Sequence, residues 1–523
     1  MAERQFDVIV IGGGPAGYVG AIRAAQLGYK VACVERDKLG GVCLNWGCIP
    51  TKALLANAEV YEKVHHQAAE WGLKLNGTLE VDWNKTIGRS REVAKKLNNG
   101  IGFLFKKNKI EHVIGNAKIV SAAKNGGLAK VEVYDCKVQD ELTSAPCENT
   151  GKKARETLTA KHVIVATGSV ARELPFAKFD GDKILGAREA MNTKAMPKSM
   201  IVIGAGAIGM EFAYFYHTFG CKTTVVEMLP RILPVEDDDV SAGLERMYRK
   251  SGMELRTSTT TTAVEKTATG VKVTVAPWVV GPDGKGKADE SKKEVLEAEK
   301  VLLAVGVKGR YDGLFDPSLG LEVVKDHIKT DYDPNKKEQQ NIDYKTNLPG
   351  IYAVGDVIGP PWLAHVASEE AVLCVERIAW REKKLPHGNH EPIGIDYSTI
   401  PGCTYCHPQV ASVGYTEREL KAMGKVKDKD YQVGSYSMQA HGKAIAAMEN
   451  MGMVKIIRGL PRGEILGAHI LSAQATELIG ELGLARRLEA TSEELIVTMH
   501  AHPTLHEAVH EAALASEGRV IHA

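Results

Sequence analysis

No stretch of the chain reaches the roughly 18 consecutive apolar residues that a membrane-crossing helix needs, and no charged start followed by a short apolar core marks a secretory signal. No membrane role is expected. Charge of one sign is also missing, since 66 Lys and Arg stand against 65 Asp and Glu for a formal net charge of +1. That balance gives no general attraction to nucleic acid or to an anionic bilayer, so a partner would be chosen by local surface. Cysteine is sparse: nine residues, an odd number, are scattered from Cys33 to Cys406 and do not form the framework of a small secreted domain. A reducing compartment is expected, and a disulfide that matters there should be catalytic. The first strand begins near Phe6, which leaves no room for a transit peptide in the chain as given. The cytoplasm is the expected location, or an organelle matrix if a transit peptide has been removed.

What is present is enough chain for several cores. At 523 residues, with 44% hydrophobic and 25% charged side chains, the composition is that of a globular protein of about three to four domains. The most informative feature is an internal repeat. Val8-Ile9-Val10-Ile11-Gly12-Gly13-Gly14-Pro15-Ala16-Gly17 returns 192 positions later as Met200-Ile201-Val202-Ile203-Gly204-Ala205-Gly206-Ala207-Ile208-Gly209. Both copies run on to a short apolar strand closed by an acid, Glu35 and Glu227, each 23 residues after the first glycine.

A buried apolar strand, a glycine turn, a helix and an acid-terminated strand are the parts of a dinucleotide site. Gly12, Gly14 and Gly17, and likewise Gly204, Gly206 and Gly209, let backbone approach a pyrophosphate at the positive end of a helix. Glu35 and Glu227 can accept hydrogen bonds from ribose hydroxyls. Two copies in full context imply two dinucleotides. A carboxylate at 227 favours NAD over NADP, because it repels a 2′-phosphate, although Arg231 lies close by in the sequence.

Directly after the first unit comes Gly40-Gly41-Val42-Cys43-Leu44-Asn45-Trp46-Gly47-Cys48-Ile49-Pro50-Thr51-Lys52. Two cysteines five positions apart, with a helical pattern starting near Thr51, can share one turn of helix or occupy a helix-entry loop. Either place favours thiolate, as a redox pair requires. Two buried, inert cysteines would be the plainer reading elsewhere in the chain.

This string resembles the active-site signature of the flavoprotein disulfide reductases, the family of pyridine nucleotide-disulfide oxidoreductases. The resemblance implies FAD at the first site and NAD at the second. It makes Cys43 the thiol that meets substrate and Cys48 the thiol that faces the flavin, with Lys52 beside the flavin and paired with Glu211. Three further stretches are similar to family motifs in the family's order. Val163 to Ser169 contains Thr167 and Gly168 at the exit from the FAD domain; Ile351 to Asp356 is like the second FAD motif, in which Asp356 holds the ribityl chain, with Ala364 and His365 beyond it; Gly115 matches a glycine near the adenine.

The C-terminal string His500-Ala501-His502-Pro503-Thr504-Leu505-His506-Glu507 is most similar to the dihydrolipoamide-oxidising branch of the family. By that similarity His502 is the base and Glu507 the carboxylate that orients it. In that branch the histidine serves the disulfide of the other subunit, so a homodimer is implied. The partners implied are a lipoyl domain and the acyltransferase (E2) core of a 2-oxo acid dehydrogenase complex, or the lipoylated H-protein of the glycine cleavage system. No metal is expected, because Pro503 interrupts helical ligand spacing and a helix should begin near it. The Cys403 to His407 segment matches a haem-attachment pattern but resembles the start of the family's dimerisation domain. No cysteine follows Cys406, which disfavours mercuric and high-molecular-weight thioredoxin reductases, and Glu227 disfavours glutathione and trypanothione reductases. A non-catalytic scaffold would have no need of Cys43, Cys48, His502 and Glu507 together.

The expected fold is α/β, with two Rossmann-like dinucleotide-binding domains at 1–172 (FAD) and 173–299 (NAD), a central segment at 300–375 that completes the FAD site, and an α+β dimerisation domain at 376–523. Residues 135–158, 279–298 and 331–343 look inserted and should form surface loops or extended hairpins. Gly306-Val307-Lys308-Gly309-Arg310 departs from the family's glycine, arginine, variable residue, proline, while Gly306 itself keeps its place as a nucleotide contact.

Overall fold

The computed structural model describes residues 2–137, 148–149, 153–281, 284–386 and 390–522. Each glycine-rich unit opens a five-stranded parallel sheet. In the first the strands lie in the order Ile351–Ala353, His162–Val165, Val8–Ile11, Val31–Glu35 and Glu111–Ile114. In the second the order is Ile184–Leu185, Lys300–Leu303, Ser199–Ile203, Lys222–Val226 and Glu254–Arg256. The inner strands Val8–Ile11, His162–Val165, Ser199–Ile203 and Lys300–Leu303 are mainly Val, Ile and Leu, because a parallel sheet covered on both faces has no polar side.

The repeat holds at atomic scale. Gly12 and Gly204 adopt φ of +100° and +101°, and a Cβ on either would lie 2.3 or 2.4 Å from a carbonyl oxygen, that of Ala166 or of Ala304. Gly17 and Gly209 let the helices Pro15–Gln26 and Ala207–Thr218 close onto those turns, where a Cβ would meet the carbonyl oxygen of Gly12 at 1.8 Å or of Gly204 at 1.9 Å. Only glycine fits all four places.

Beyond residue 400 the chain builds a five-stranded antiparallel sheet, Gly402–Thr404, Gln409–Gly414, Ile465–Ser472, Met453–Gly459 and Tyr431–Ser437, covered by the helices Ala475–Arg487 and Glu507–Ser516. The α/β architecture with an α+β C-terminal part is as expected. Two of the boundaries drawn from the sequence need correction. Lys300–Leu303, assigned to the central segment, pairs with both Ile184–Leu185 and Ser199–Ile203, so the second nucleotide sheet runs past residue 299. The cut at 375/376 falls inside the helix Ala364–Arg381, which packs against Pro15–Gln26 where Gly20 faces Ala371.

The inserted regions behave differently from one another. Cys136–Lys137 pairs with Glu148–Asn149 as a hairpin, while Pro146, Cys147 and Gly151 lie outside the described residues. Cys136 is disulfide-bonded, so the expectation that a disulfide here would be catalytic does not cover every bridge; its partner is not among the described residues. Val271–Val280 continues past its main partner to pair with Gly286–Ala288, an extended hairpin from which 282–283 are outside the described residues. The stretch 331–343 is pinned at its base, where Asp331 accepts from the backbone N–H of Asp343 (2.9 Å) and of Lys345 (3.1 Å). Among the described residues no helix is long and apolar enough to cross a membrane.

A buried charge cluster docks the second nucleotide unit on the C-terminal sheet. Lys455, only 1% exposed, donates to Asp237 (2.7 Å), Asp239 (2.6 Å) and Glu417 (2.8 Å). Asp237 also accepts the Glu417 N–H at 3.1 Å. Breaking a buried pair strands a charge in low dielectric, which costs more than the pair itself supplies. Lys455→Met is therefore expected to lower stability by about 3 to 5 kcal/mol, measured as a fall in the urea midpoint of the purified protein, and an unchanged midpoint would show that the cluster contributes nothing.

Candidate active site

The two cysteines straddle a break between helices. Cys43 lies in the short helix Gly41–Trp46, and Cys48 is the first residue of Cys48–His65. Gly47 separates them, and the second helix therefore starts three residues earlier than the pattern at Thr51 suggested. The short helix is clamped by Asn45, whose Nδ2 donates to the carbonyls of Leu39 (2.9 Å) and Gly41 (3.0 Å). Thr51 Oγ1 donates to the Gly47 carbonyl at 2.7 Å and fixes the next turn.

The two thiols face each other within hydrogen-bonding reach, and their proton affinities diverge. Donating to Cys48, in a largely buried setting, pushes the Cys43 thiol far up, while accepting that bond, with the Lys52 ammonium nearby, holds Cys48 below the ordinary thiol range. Of the two, Cys48 is the thiol whose ionised form is favoured, with Cys43 as its donor. Lys52 stands one turn after Cys48, on the same helical face. Its Nζ is 2.9 and 3.0 Å from the two carboxylate oxygens of Glu211, and it lies 4.2 Å from the ring centre of Tyr405. The backbone N–H of Tyr405 also donates to Glu211, at 2.9 Å. Sequence reasoning named Lys52 and Glu211 but read Tyr405 only as part of a strand entry. An aromatic beside the extra thiols at 403 and 406 was the available signal.

Around the first glycine turn the expected FAD contacts converge. Glu35 accepts from the N–H of Gly13 (2.6 Å) and of Asp37 (2.8 Å), and its carbonyl takes the Gly115 N–H at 3.0 Å. A Cβ at Gly115 would lie 2.6 Å from Val133. Thr167 Oγ1 donates to the Arg310 carbonyl at 2.5 Å, and the Gly168 carbonyl accepts the Arg310 N–H at 2.9 Å. Asp356 is half-buried, and desolvation raises its carboxyl above the usual range; Ser169 donates to one of its oxygens at 2.7 Å, leaving the other for a ligand hydroxyl. A glycine cradle with no room for side chains and a half-buried carboxylate with a spare acceptor suit a dinucleotide carrying a polyol chain. The helix after Leu363 begins at Ala364, and His365 Nε2 is 3.1 Å from the Pro401 carbonyl. Glu370, missed from sequence, buttresses the Asp356 turn: its carboxylate accepts from the Gly355 N–H (2.7 Å) and the Tyr397 hydroxyl (2.8 Å), and burial lifts it to about 7. A lone acid on an otherwise apolar helical face is the signal that could have found it.

The second cradle repeats the backbone bonds to the carboxylate of the first. Glu227 accepts from Ala205 N–H (2.7 Å) and Leu229 N–H (2.8 Å), the counterparts of Gly13 and Asp37. A carboxylate has about four lone-pair positions, so ribose hydroxyls can still be bound. Arg231 does not stand free for a 2′-phosphate, because it pairs with Asp238. Gly306 (φ +96°) accepts the Arg172 N–H through its carbonyl at 2.9 Å, and Val307–Gly309 pairs with Ser169–Ala171, so the departed motif still links the two cradles.

At the C-terminus His502 Nδ1 is 2.8 Å from Glu507 Oε1, and Glu507 Oε2 accepts the Thr504 N–H at 2.9 Å. These bonds hold Glu507 below the usual carboxylate range, although desolvation works the other way. The helix begins at Glu507, four residues after Pro503, and the Thr504 N–H ahead of it is taken by the Glu507 side chain. His500 and His506 both bond to Glu481, at 2.7 and 2.8 Å. Among the described residues no cluster of three or more His, Cys, Asp and Glu could hold a metal ion. Cys403 and Cys406 are free thiols, and Cys406 is fully buried with its Sγ 3.5 Å from the Pro408 carbonyl.

Residues 6–371 match the family model described as pyridine nucleotide-disulphide oxidoreductase, and residues 400–513 match the model of that family's dimerisation domain. The chain is 44% identical over 524 residues to the dihydrolipoyl dehydrogenase of Rhizobium etli, with all of both chains covered. It is 37% identical to the mitochondrial dihydrolipoyl dehydrogenase of Pisum sativum, covering 99% of this chain and 92% of that one. The crystal structure of LpdA from Mycobacterium tuberculosis shares the fold at a TM-score of 0.78 and 24% identity, covering 97% of this chain and 99% of that one.

The asymmetry of the thiols is open to test in the flavin-loaded protein. Cys43→Ser keeps a hydroxyl to donate to Cys48, so a long-wavelength thiolate-to-flavin absorption band should persist, and should persist to pH values below the ordinary thiol range. Absence of the band in Cys43→Ser and its presence in Cys48→Ser would reverse the two roles.

Proposed function

The chain belongs to the pyridine nucleotide-disulphide oxidoreductase family, and we propose that within it the chain acts as a dihydrolipoyl dehydrogenase, oxidising protein-bound dihydrolipoamide with NAD+ as acceptor. It is an enzyme with FAD and NAD as cofactors. The observation that carries the reading is the pair His502–Glu507, a bonded base and orienter whose imidazole is 81% exposed on a single chain. A base open to water in one subunit suits a site that closes in a homodimer, with His502 of one subunit set against the Cys43–Cys48 disulfide of the other.

The steps follow from the residues. A dihydrolipoamide thiol is mostly protonated near neutral pH, given a thiol reference pKa of about 8.5, so its proton goes to His502 and the imidazolium is stabilised by Glu507. The new thiolate attacks Cys43 Sγ, the Cys43–Cys48 bond breaks, and Cys48 leaves as a thiolate that Lys52 stabilises. The second substrate thiol, deprotonated in turn, displaces Cys43 from the mixed disulfide; lipoamide forms and Cys43 takes up a proton. Glu35, Thr167, Gly168 and Asp356 and the glycines around them would hold FAD, which would supply the two-electron chemistry between this dithiol and NAD+. Gly204, Gly206, Gly209, Glu227 and Gly306 would hold the NAD+, with Lys52 and Glu211 fixing the ground between the two cradles. The partner chemistry follows from the substrate: a lipoyl domain with its E2 core, or a lipoylated H-protein, in a reducing compartment such as the cytoplasm.

Turnover measured in parallel with dihydrolipoamide, glutathione, NAD and NADP tests the reading, and equal use of NADP by the unmodified protein would overturn the role of Glu227. Glu227→Ala should narrow the preference for NAD. His502→Gln should slow reduction of the disulfide by dihydrolipoamide by about 10² to 10⁴, while NADH still reduces the bound flavin. Mixing His502→Gln chains with Cys43→Ser chains should restore activity through heterodimers that own one complete site. Proven subunit exchange without recovery would sink the shared-site mechanism.

A further inference from the structure

The departed motif at Gly306 leaves an arginine to be explained. Where the family pattern has arginine directly after the glycine, this chain has Val307, and an arginine arrives three residues later as Arg310. Its backbone is locked between the two strings assigned to FAD. The Arg310 N–H donates to Gly168, its carbonyl accepts Thr167 Oγ1, and the preceding Gly309 is so close to the Asp356 turn that a Cβ there would lie 3.0 Å from the Val357 carbonyl oxygen.

The charges that act on its guanidinium are those of Arg36, Glu35, Arg188 and Asp37. Yet no hydrogen bond or ion pair of the guanidinium to a protein group is seen among the described residues, and Glu35 and Asp37 act on it only through longer-range attraction. The two acids are already engaged: both oxygens of Glu35 receive backbone N–H groups, and Asp37 faces Arg188 at 3.9 Å. Burial together with Arg36 lowers the Arg310 proton affinity to about 10, so it remains charged at neutral pH. A half-buried fork of five donors that lacks an internal anion has been paid for elsewhere, and an external anion is what satisfies it.

We infer that Arg310 is a further FAD-binding residue, presenting its guanidinium to the anionic adenosine-diphosphate half of the cofactor. The position agrees with the chemistry: Glu35 would take the ribose and the Gly12–Gly17 turn the diphosphate, and Arg310, fixed by Thr167 and Gly168, lies within electrostatic reach of Glu35. The inference rests on the FAD site proposed above. It goes beyond that site because the arginine belongs to the segment that enters from the second nucleotide sheet, so a residue of that connection holds the cofactor of the first.

The test is the FAD dissociation constant of the deflavinated protein, read from the quenching of flavin fluorescence, for the unmodified chain and for Arg310→Gln and Arg310→Lys. Arg310→Gln should bind FAD about 10- to 100-fold more weakly, the loss expected for a charge-assisted bidentate contact. Arg310→Lys should fall between the two, because it keeps the charge and loses the fork. Binding to the unmodified chain should weaken more steeply with ionic strength than binding to Arg310→Gln. Circular dichroism and the melting temperature of the apo-proteins keep a folding defect distinguishable. If all three apo-proteins fold alike and bind FAD within twofold, Arg310 is no FAD ligand; if the unmodified chain itself takes up no FAD, the FAD site is what fails.

Discussion

The ion pair between Lys52 and Glu211 is the constraint on which the site depends. Lys52 comes from the helix that carries Cys48, Glu211 from the first turns of the helix that follows the second glycine cradle, and the Tyr405 N–H that completes the carboxylate comes from the C-terminal part. Three separately folded pieces are thus fixed at one carboxylate. Glu211 is nearly fully buried, so loss of either donor would leave a carboxylate oxygen without its partner away from water. The same ammonium that satisfies Glu211 also lowers the thiol of Cys48. Docking of the domains and tuning of the redox thiol are therefore one electrostatic arrangement, and neither can be moved without the other.

The Lys455 cluster repeats the same device at a distance from the chemistry. It holds Asp237, ahead of the helix Asp238–Lys250 of the second nucleotide unit, against Glu417 and the C-terminal sheet. Its three donors all meet carboxylates, which is how an ammonium tolerates being withdrawn from water. With Arg418 bonded to the carbonyls of Pro234 and Glu236 in the same strap, the second cradle is tied at two places, and its open end is left facing outward.

Much of this was legible from residue spacing, because the chemistry of the cradles leaves little choice of residue. Gly12, Gly17, Gly204 and Gly209 sit where any Cβ would strike backbone, and Glu35 and Glu227 each close a strand at the same distance from the turn. What spacing could not supply was the path between such points. The break at Gly47 depends on how Asn45 and Thr51 satisfy carbonyls on either side of it, which no periodicity reports. Lys300–Leu303 joins the second sheet because a parallel strand must return after a crossover, here lengthened by the antiparallel hairpins of 259–298, so counting along the chain misplaced it. Glu370 and Tyr405 act through packing and a backbone N–H, and neither leaves a motif.

The two acids also show where the distinction between the cofactors must lie. Glu35 and Glu227 receive matching pairs of backbone bonds at matching distances, so neither carboxylate by itself can make one site hold a resident cofactor and the other an exchanging one. The difference is in what crosses the turn. Both turns receive an N–H from the loop beyond them, Gly40 to the Gly13 carbonyl at 2.7 Å and Leu233 to the Ala205 carbonyl at 2.8 Å, but in the first cradle Gly41 also passes so near Gly14 that a Cβ on Gly41 would lie 2.6 Å from the Gly14 Cα. The redox helix is therefore laid directly over the phosphate-binding backbone. In the second cradle no atom comes within 4 Å of a Cβ built on Gly206. The helix entry reports the same contrast, since Ala16 is 6% exposed while its counterpart Ile208 is 47% exposed. The first turn is thus covered by a packed helix and the second is more open, an arrangement that suits a tightly held cofactor in the first and an exchanging one in the second.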